Sequence, residues 1–432
     1  MSHAKENSIW RTIGSWIRSI PKTLAQLISF KRTSWKSARE LQTAGPRKLV
    51  PNQASVRRLQ HTCTALASES LKSPGPSESL SFTSEENSFI EQIRLATDRG
   101  NRNNVTRTQA YWEMYIRHPE LHWALLAHMV SRNGGWSMTD LHGEYLPFLL
   151  SLSQRQAIFS FLEKANSLIF GDAYPQLLLY EASLTSKQSL MHLLPAFGVS
   201  AFMKPVWEEF WRARDSVMLT TALIINEQHY IEGRVVKEPF YAEHVLGSLE
   251  FQMQSLMQLN QIVFPFAKSS EDGVLQDRPI NLAGAILEDF SDLRERIQFG
   301  KTLYGILFGI PAVYEGVLRF AGYPHTGSRS DYWPHLFTNA QEEPPSIATR
   351  LNKISGCELV PGASPLYSPR LSGAWDDVPL APVVPGDWFH TADVLRFISD
   401  IAVPDLFEMS AESCFGLHKV QTAAVAAQQL KG

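Results

Sequence analysis

Hydrophobic residues recur along most of the chain at the three- and four-residue spacing of amphipathic helices. The stretch 121–130 is apolar nearly all round, which is typical of a buried helix, and Gly134 follows it as a candidate C-cap. No sustained two-residue alternation and no βαβ rhythm is found. Helices are predicted over 106–117, 121–130, 154–169, 176–184, 206–231, 247–263 and 282–318. We therefore expect an all-α fold, an irregular multi-helix globular domain.

Composition divides the chain into four predicted regions. Residues 1–67 form a basic N-terminal arm that is amphipathic over 8–30, and the Ser- and Pro-rich residues 68–84 form a flexible linker. The helical globular domain spans 85–404, and 405–432 form a C-terminal tail. Prolines make 340–390 irregular and dominated by loops, while Trp375 and Trp388 indicate that this segment packs back on the body. Short helices are predicted near 391–401 and 420–430.

The charge is distributed unevenly along the 432 residues. The formal net charge is -3, but residues 1–60 carry twelve Lys or Arg against Glu6 and Glu40, a net of +10. Such an arm favours contact of residues 8–58 with an anionic membrane surface or an acidic partner. The alternative is a helix that docks on the body of its own protein. No specific nucleic-acid signal is found.

The sequence also bears on membrane crossing and compartment. The longest uncharged stretches, 217–225 and 302–314, fall short of the roughly 20 residues that a bilayer requires. The three cysteines, Cys63, Cys357 and Cys414, are odd in number and far apart, which favours a reducing compartment. We therefore expect a cytoplasmic protein, at most peripheral to a membrane. No pair of ligand cysteines is evident, so structural zinc is excluded at this stage.

Standard catalytic motifs are missing from the sequence, and no cofactor or metal is expected. There is no P-loop, no G-x-G-x-x-G after a strand, no H-E-x-x-H and no G-x-S-x-G elbow. The histidines and acids of 118–128 and 140–144 match no set of ligand spacings. Any chemistry must therefore be sought in less regular clusters.

Two segments concentrate polar residues and glycine against apolar flanks: residues 128–140, which contain SRNGGW at 131–136, and residues 324–335, which contain HTGSR at 325–329. Each places an arginine and hydroxyls at a turn beside a helix end, where backbone N–H groups and a guanidinium would bind an anion. We expect the two segments to meet in space. The candidate ligand-binding residues are Arg107, Arg132, Asn133, Ser328, Arg329, Asp331 and Tyr332, and the candidate catalytic residues are His325, Glu181 and Glu227.

A purely structural interpretation stands beside the functional one. Gly134 would end a helix, Ser328 with Asp331 would form a capping box, and the arginines would satisfy buried carbonyls. Glu181 and Glu227, if buried, would form salt bridges to one of the three arginines.

Three functions therefore stay open. They are a binding or interaction protein with a polar, arginine-containing pocket, a hydrolase or transferase for an anionic or phosphorylated substrate, and a structural helical scaffold. Convergence of Arg107, Arg132, Glu181, Glu227, Arg329 and His325 in one concave site would favour the first two.

Three longer strings resemble a known family. NVTRTQAYWEMY, HPELHWALLAHMVSRNGGWSMTDL and PHTGSRSDYWPHLF are similar to the YppC-like family of uncharacterised Gram-positive bacterial proteins. The resemblance covers roughly residues 90 to 400 and includes SPRLSGAW at 368–375. It implies a bacterial cytoplasmic setting and carries no activity, ligand or catalytic residue.

Overall fold

The computed structural model describes residues 45–72, 81–246, 260–266, 281–340, 351–379, 382–383 and 386–431. The longer helices are α1 (Gln53–Lys72), α2 (Ser84–Gly100), α3 (Asn104–Arg117), α4 (His122–Asp140), α5 (Leu152–Ser186), α6 (Met203–Ala213), α7 (Ser216–Ile231), α8 (Leu293–Gly309), α9 (Pro311–Ala321) and α10 (Ser410–Lys431). Shorter helical turns cover Leu146–Leu149, Met191–Phe197, Glu232–Val236, Pro239–Tyr241, Ala242–Leu246, Arg329–Asp331, Leu371–Ala374 and Ala392–Phe397. The predicted helical fold class is confirmed.

The strands are short and pair two by two. They are β1 (Lys48–Leu49), β2 (Gln261–Phe266), β3 (Asn281–Ile286), β4 (Phe337–Thr338), β5 (Ile354–Ser355), β6 (Glu358–Leu359), β7 (Leu366–Tyr367) and β8 (Ile401–Ala402). The pairs β1–β8, β2–β3 and β5–β6 are antiparallel, and β4–β7 is parallel. In the longest pair, β2 and β3 match over six residues each.

Polar side chains set several helix starts. Thr83 and Glu86 form a reciprocal capping box at α2, and Ser151 and Gln154 form another at α5. At α7 the carboxylate of Asp215 accepts from the first backbone N–H groups. These caps satisfy donors that have no partner within the helix.

The centre of the fold is α4, which contacts α3, α5 and α7. Trp123, Met129 and Trp136 are each at most 2% exposed, so the predicted buried helix is confirmed. The prediction that Gly134 ends this helix is wrong, because α4 continues to Asp140. The glycines serve close packing instead. A Cβ at Gly135 would lie 2.8 Å from the ring of His325.

Other boundaries also differ from the predicted ones. The two helices predicted over 154–169 and 176–184 are one continuous helix, α5, and 206–231 divides between α6 and α7. The helices predicted over 247–263 and 282–318 are wrong where they reach β2 and β3. A short apolar run does not show whether it has the period of a helix or of a strand. Here the apolar runs 261–266 and 281–286 are strands that pair with each other. Residues 247–259 lie outside the described part of the chain.

Residues 45–67 belong to the body, which corrects the predicted extent of the N-terminal arm. Strand β1 pairs with β8, and α1 packs on α6 with Leu59 1% exposed and Cys63 fully buried. Within 45–67 the buried apolar positions, such as Leu59 and Cys63, contact the core. Residues 1–44 and 73–80 lie outside the described residues, so contact of 8–58 with a membrane or acidic partner and the flexible linker stay predictions.

The C-terminal part also packs on the body. The indole N–H of Trp375 donates to the Met138 carbonyl at 2.9 Å, and that of Trp388 donates to the Asn226 amide oxygen at 2.9 Å. The predicted tail contains α10, which contacts the Leu146–Leu149 turn, β3 and β5. The weak surface helix predicted near 420–430 is therefore part of a longer helix packed against the body.

Two cysteines form a disulfide that is not predicted from the sequence. Cys357 and Cys414 are bonded, with their Cα atoms 5.5 Å apart, although 57 residues separate them in the chain. Cys63 is a free, buried thiol. The argument for a reducing compartment from unpaired cysteines therefore does not hold for this pair.

Among the described helices, none taken singly is long and apolar enough to cross a membrane. Helices α8 and α9 reach that length and apolarity only as a pair, across a bend of 92°.

The docking of α1 on the body can be tested by core truncation. Leu59→Ala should lower the free energy of unfolding by about 2–5 kcal/mol, because it leaves a cavity beneath α1. Gln60→Ala, at the exposed neighbouring position, should change it by less than about 0.5 kcal/mol. Denaturant unfolding of both variants measures the difference. Equal, small effects would mean that α1 is not part of the cooperative fold.

Candidate functional site

The two segments singled out in the sequence meet. We call their contact the α4 junction: residues 131–140 of α4 against residues 324–335. The Thr139 hydroxyl donates to the Gly327 carbonyl at 2.8 Å, and Arg329 forms an ion pair with Asp140. The predicted contact between SRNGGW and HTGSR is therefore confirmed.

Arg132 lies in the interior of the α4 junction and is fully buried. Its guanidinium donates to the carbonyl oxygens of Phe320, Tyr323 and Pro324 at 2.9–3.0 Å. Phe320 lies in the last turn of α9, whose final carbonyls lack partners within the helix. Arg132 thus caps α9 and fastens the following loop to α4, as the structural interpretation expects.

Asn133 joins the junction to a strand. Its amide nitrogen donates to the Val263 carbonyl at 2.9 Å, and its amide oxygen accepts from the Val263 N–H at 3.0 Å. The same nitrogen lies 3.2 Å from the hydroxyl of buried Tyr332. The side chain therefore pairs with β2 as a neighbouring strand would.

His325 is enclosed in the junction. Its Nε2 lies 3.1 Å from the Asn104 amide oxygen, and its Nδ1 lies 3.4 Å from the Asp331 carboxylate. Burial lowers the pKa of His325 to about 4, so the imidazole is neutral near pH 7. Asp331 accepts from the Thr326 N–H at 2.7 Å and so closes the loop. Ser328 caps the short turn that begins at Arg329, but Asp331 does not complete a capping box with it.

The remaining candidates lie elsewhere. Arg107 is buried in an ion pair with Glu163 at 2.5 Å. Glu181 accepts from Arg117 at 2.6 Å on a partly exposed surface, so its salt bridge is to none of the three arginines first considered. The six residues Arg107, Arg132, Glu181, Glu227, Arg329 and His325 do not converge in one concave site.

Glu227 belongs to a second cluster of polar side chains. The cluster also contains the carboxylate of Asp172, which was not predicted from the sequence. Its Oε2 accepts from the indole N–H of Trp123 at 3.1 Å. Asp172 of α5 accepts from the amides of Asn226 at 2.5 Å and Gln176 at 3.0 Å. Burial raises the pKa of Asp172 to about 7, and burial together with the charge of Asp172 raises the pKa of Glu227 to about 7. Asp172 gave no sequence signal, because it lies inside the long apolar pattern of α5.

Among the candidate residues, Arg329 lines two cavities. Its guanidinium carbon lies 4.1 Å from the ring centre of Trp136, and the side chain is only 5% exposed. Two cavities meet at it. One, of about 20 Å³, is lined by Asp140, Glu144, Tyr145, Leu146, Arg329, Phe337, Tyr367, Leu417 and Val420.

We call the larger one, of about 80 Å³, the Arg329 cavity. It is lined by Leu282, Arg329, Trp333, His335, Leu336, Phe337, Ile354, Cys357, Ser410, Ser413, Cys414 and Leu417. Most of this wall is apolar, with the arginine, one histidine and two serines as its polar groups. Helix α10 supplies Ser410, Ser413 and Leu417, which sequence reasoning missed because the predicted tail was not expected to cover a cavity.

In this structure, in which the disulfide is closed, no three His, Cys, Asp or Glu side chains among the described residues are placed to hold a metal ion.

Comparison with known proteins identifies the family of the chain. The family described as protein of unknown function (DUF2515) matches residues 99–412. The chain belongs to this family. The uncharacterized protein YppC of Bacillus subtilis (strain 168) is 42% identical over 246 residues, which cover 56% of this chain and 72% of YppC. The resemblance drawn from the sequence strings is thereby confirmed. No solved structure matches the chain.

The Arg329–Asp140 ion pair should behave as a structural pair in this family member. Arg329→Ala should lower the free energy of unfolding by about 3–5 kcal/mol, because the half-buried Asp140 carboxylate loses its cationic partner. Asp140→Asn in the same chain should restore part of that loss, with a coupling energy of about 0.5–3 kcal/mol. Denaturant unfolding of the two single variants and the double variant gives this coupling.

Arg107 provides the matched control for that cycle. It is buried in an ion pair with Glu163 away from the loop that carries Arg329, so Arg107→Ala and Asp140→Asn should be additive within about 0.5 kcal/mol. A loss below about 1 kcal/mol for Arg329→Ala, or no coupling with Asp140, would contradict the structural role.

The buried carboxyls predict a pH dependence of stability. In the unfolded chain Asp172 ionises above about pH 4, whereas in the folded chain it ionises near pH 7. The contribution of Asp172 to stability is therefore fully present below about pH 4 and is lost as the pH rises toward 7. Asp172→Asn, which cannot ionise, should gain stability relative to the unmodified protein between pH 4 and pH 8.

Free energies of unfolding measured at several pH values test the predicted gain in stability of Asp172→Asn. Asp98→Asn, at an exposed position of α2, is the control and should follow the unmodified protein at every pH. Parallel curves for Asp172→Asn and the unmodified protein would refute the proposed burial effect.

Proposed function

We propose that the protein is a binding protein that holds a small organic anion, a short-chain carboxylate, in the Arg329 cavity. The observation that supports this most directly is the position of Arg329. It stands where the two unusual sequence segments meet and where the wall of the cavity begins. The guanidinium of Arg329 is paired with Asp140, and a ligand carboxylate in the cavity would share its positive charge with that acid.

The shape and lining of the cavity define the ligand class. An engineered apolar cavity of about 150 Å³ holds benzene, so a cavity of about 80 Å³ suits an aliphatic group of a few carbons. The walls formed by Leu282, Trp333 and Leu417 would contact such a group. Ser410 and Ser413 belong to the first turn of α10, whose N-terminal end favours negative charge.

We prefer a binding function to the two alternatives, a hydrolase or transferase and a structural scaffold. The hydrolase or transferase hypothesis relies on His325 as acid or base, and that side chain is enclosed in the α4 junction. The scaffold hypothesis gives no role to a cavity beside a buried guanidinium. Burial lowers the pKa of the cavity's own histidine, His335, so it would offer a neutral imidazole to a ligand.

The test uses butyrate as the probe and a variant that fills the cavity. Butyrate should raise the melting temperature in a concentration-dependent manner, because a ligand that binds only the folded state stabilises it. Butan-1-ol and sodium chloride at the same concentrations should not. Leu417→Phe should abolish the effect by occupying the space, whereas the volume-conserving Leu417→Met should keep it.

Two results would overturn the proposal. One is no difference between butyrate and chloride in the unmodified protein. The other is an equal butyrate effect in Leu417→Phe, provided that circular dichroism shows this variant to be folded. The second result would place the bound carboxylate outside the Arg329 cavity.

A further inference from the structure

One sulfur of a disulfide and an imidazole contact the same backbone carbonyl where the β5–β6 hairpin meets α10. Cys357 and Cys414 are joined by their disulfide. The Cys414 sulfur lies 3.1 Å from the carbonyl oxygen of Gly356, and the Nε2 of His418 lies 2.5 Å from the same oxygen. Since both atoms contact one oxygen, they are near neighbours.

The local sequence explains this placement. Cys414 and His418 are four residues apart on α10 and therefore share one face of the helix. Gly356 adopts a φ of +66° in the turn of the hairpin, a conformation that favours glycine. That turn places Cys357 directly against the helix face that carries the other two side chains.

The hairpin is held to α10 by bonds other than the disulfide. The side-chain amide of Gln421 accepts from the N–H groups of Lys353 and Ile354 at 2.9 Å and donates to the Ile354 carbonyl at 3.0 Å. Gln421 is buried. The two cysteines should therefore stay close together when the disulfide is opened.

We propose that the reduced protein binds a zinc ion through the thiolates of Cys357 and Cys414 and the imidazole of His418. Thiolate and imidazole are the ligands that zinc prefers in proteins, and two sulfurs with one nitrogen leave a fourth position open. Both cysteines line the Arg329 cavity, so the fourth position would face it, toward His335 or water. The site does not depend on carboxylate binding.

Metal binding and the disulfide exclude each other. A dithiol reductant supplies two electrons and two protons, closes to its own disulfide and leaves two protein thiols. Zinc then replaces the two thiol protons, which pass to the solvent, and it takes a lone pair of the His418 imidazole. Oxidation by another disulfide reverses the sequence and releases the ion. The site is thus open to zinc only in a reducing medium.

The experiment uses the full chain, reduced with a dithiol, freed of reductant without oxygen, and titrated with cobalt(II) and then zinc. Reduced protein should bind one equivalent of cobalt with thiolate charge-transfer and tetrahedral ligand-field bands, and zinc should displace it. Oxidised protein should show none of these bands. Cys357→Ser and Cys414→Ser should lose the bands. His418→Ala should weaken zinc affinity by about 100-fold or more, since losing a supporting partner alone costs about 10–100-fold.

Matched variants elsewhere serve as controls. Cys63→Ala and His61→Ala, both on α1, should bind like the unmodified protein. In the reduced unmodified protein, zinc should also protect Cys357 and Cys414 from alkylation without a change at Cys63. This measurement needs no substitution and stays informative if a variant unfolds.

Two outcomes would overturn the proposal. One is the absence of stoichiometric cobalt or zinc binding by the reduced protein. The other is unchanged binding by the Cys357→Ser, Cys414→Ser double variant. Because the butyrate experiment uses oxidised protein and the zinc experiment reduced protein, failure of one is distinguishable from failure of the other.

Discussion

Removing a guanidinium from water costs so much free energy that a buried arginine must be bonded to carbonyls or a carboxylate. Among the described residues four arginines are buried. Arg107 pairs with Glu163, Arg132 bonds to three backbone carbonyls, Arg296 pairs with Glu232, and Arg329 pairs with Asp140. These bonds tie α3 to α5, α4 to α9 and to the loop after α9, and α8 to the Glu232–Val236 turn.

The position of the Arg329 cavity follows from the same constraint. Arg132 holds the start of the 324–335 loop against α4, and the ion pair with Asp140 holds its middle. The loop therefore presents Trp333 and His335 to the space that α10 covers. A structural network and a cavity thus share one side chain, Arg329, which faces both.

The sequence predicts part of this arrangement for clear physical reasons. The amphipathic period identified α3, and the apolar circumference of 121–130 identified α4 as buried. The unusual mixture of Arg, Ser, Gly and Trp identified both sides of the α4 junction. Local patterns suffice for such features because they express helix burial or the demand of a charged group for partners.

What the sequence did not reveal depends on contacts between distant residues. The sequence pattern predicts that Gly134 ends a helix. In the structure the helix continues, and Asn104 and His325 pack against the turn that contains Gly134 and Gly135. The β2–β3 pair, the docking of α1 and α10, and the Cys357–Cys414 bond all join segments whose proximity no local pattern encodes. The polar groups of the cavity wall were not predicted for the same reason, because they lie far apart in the sequence.

The central claim is that Arg132 ties the 324–335 loop into the cooperative core. Hydrogen exchange followed by mass spectrometry tests it most directly, on the unmodified protein and on Arg132→Lys, which keeps the charge but loses the fork of donors. The account predicts that peptides from 324–335 exchange as slowly as those of α4 in the unmodified protein. In Arg132→Lys they should open selectively, while α5 keeps its protection. Fast exchange of 324–335 in the unmodified protein, or an unchanged pattern in Arg132→Lys, would contradict it.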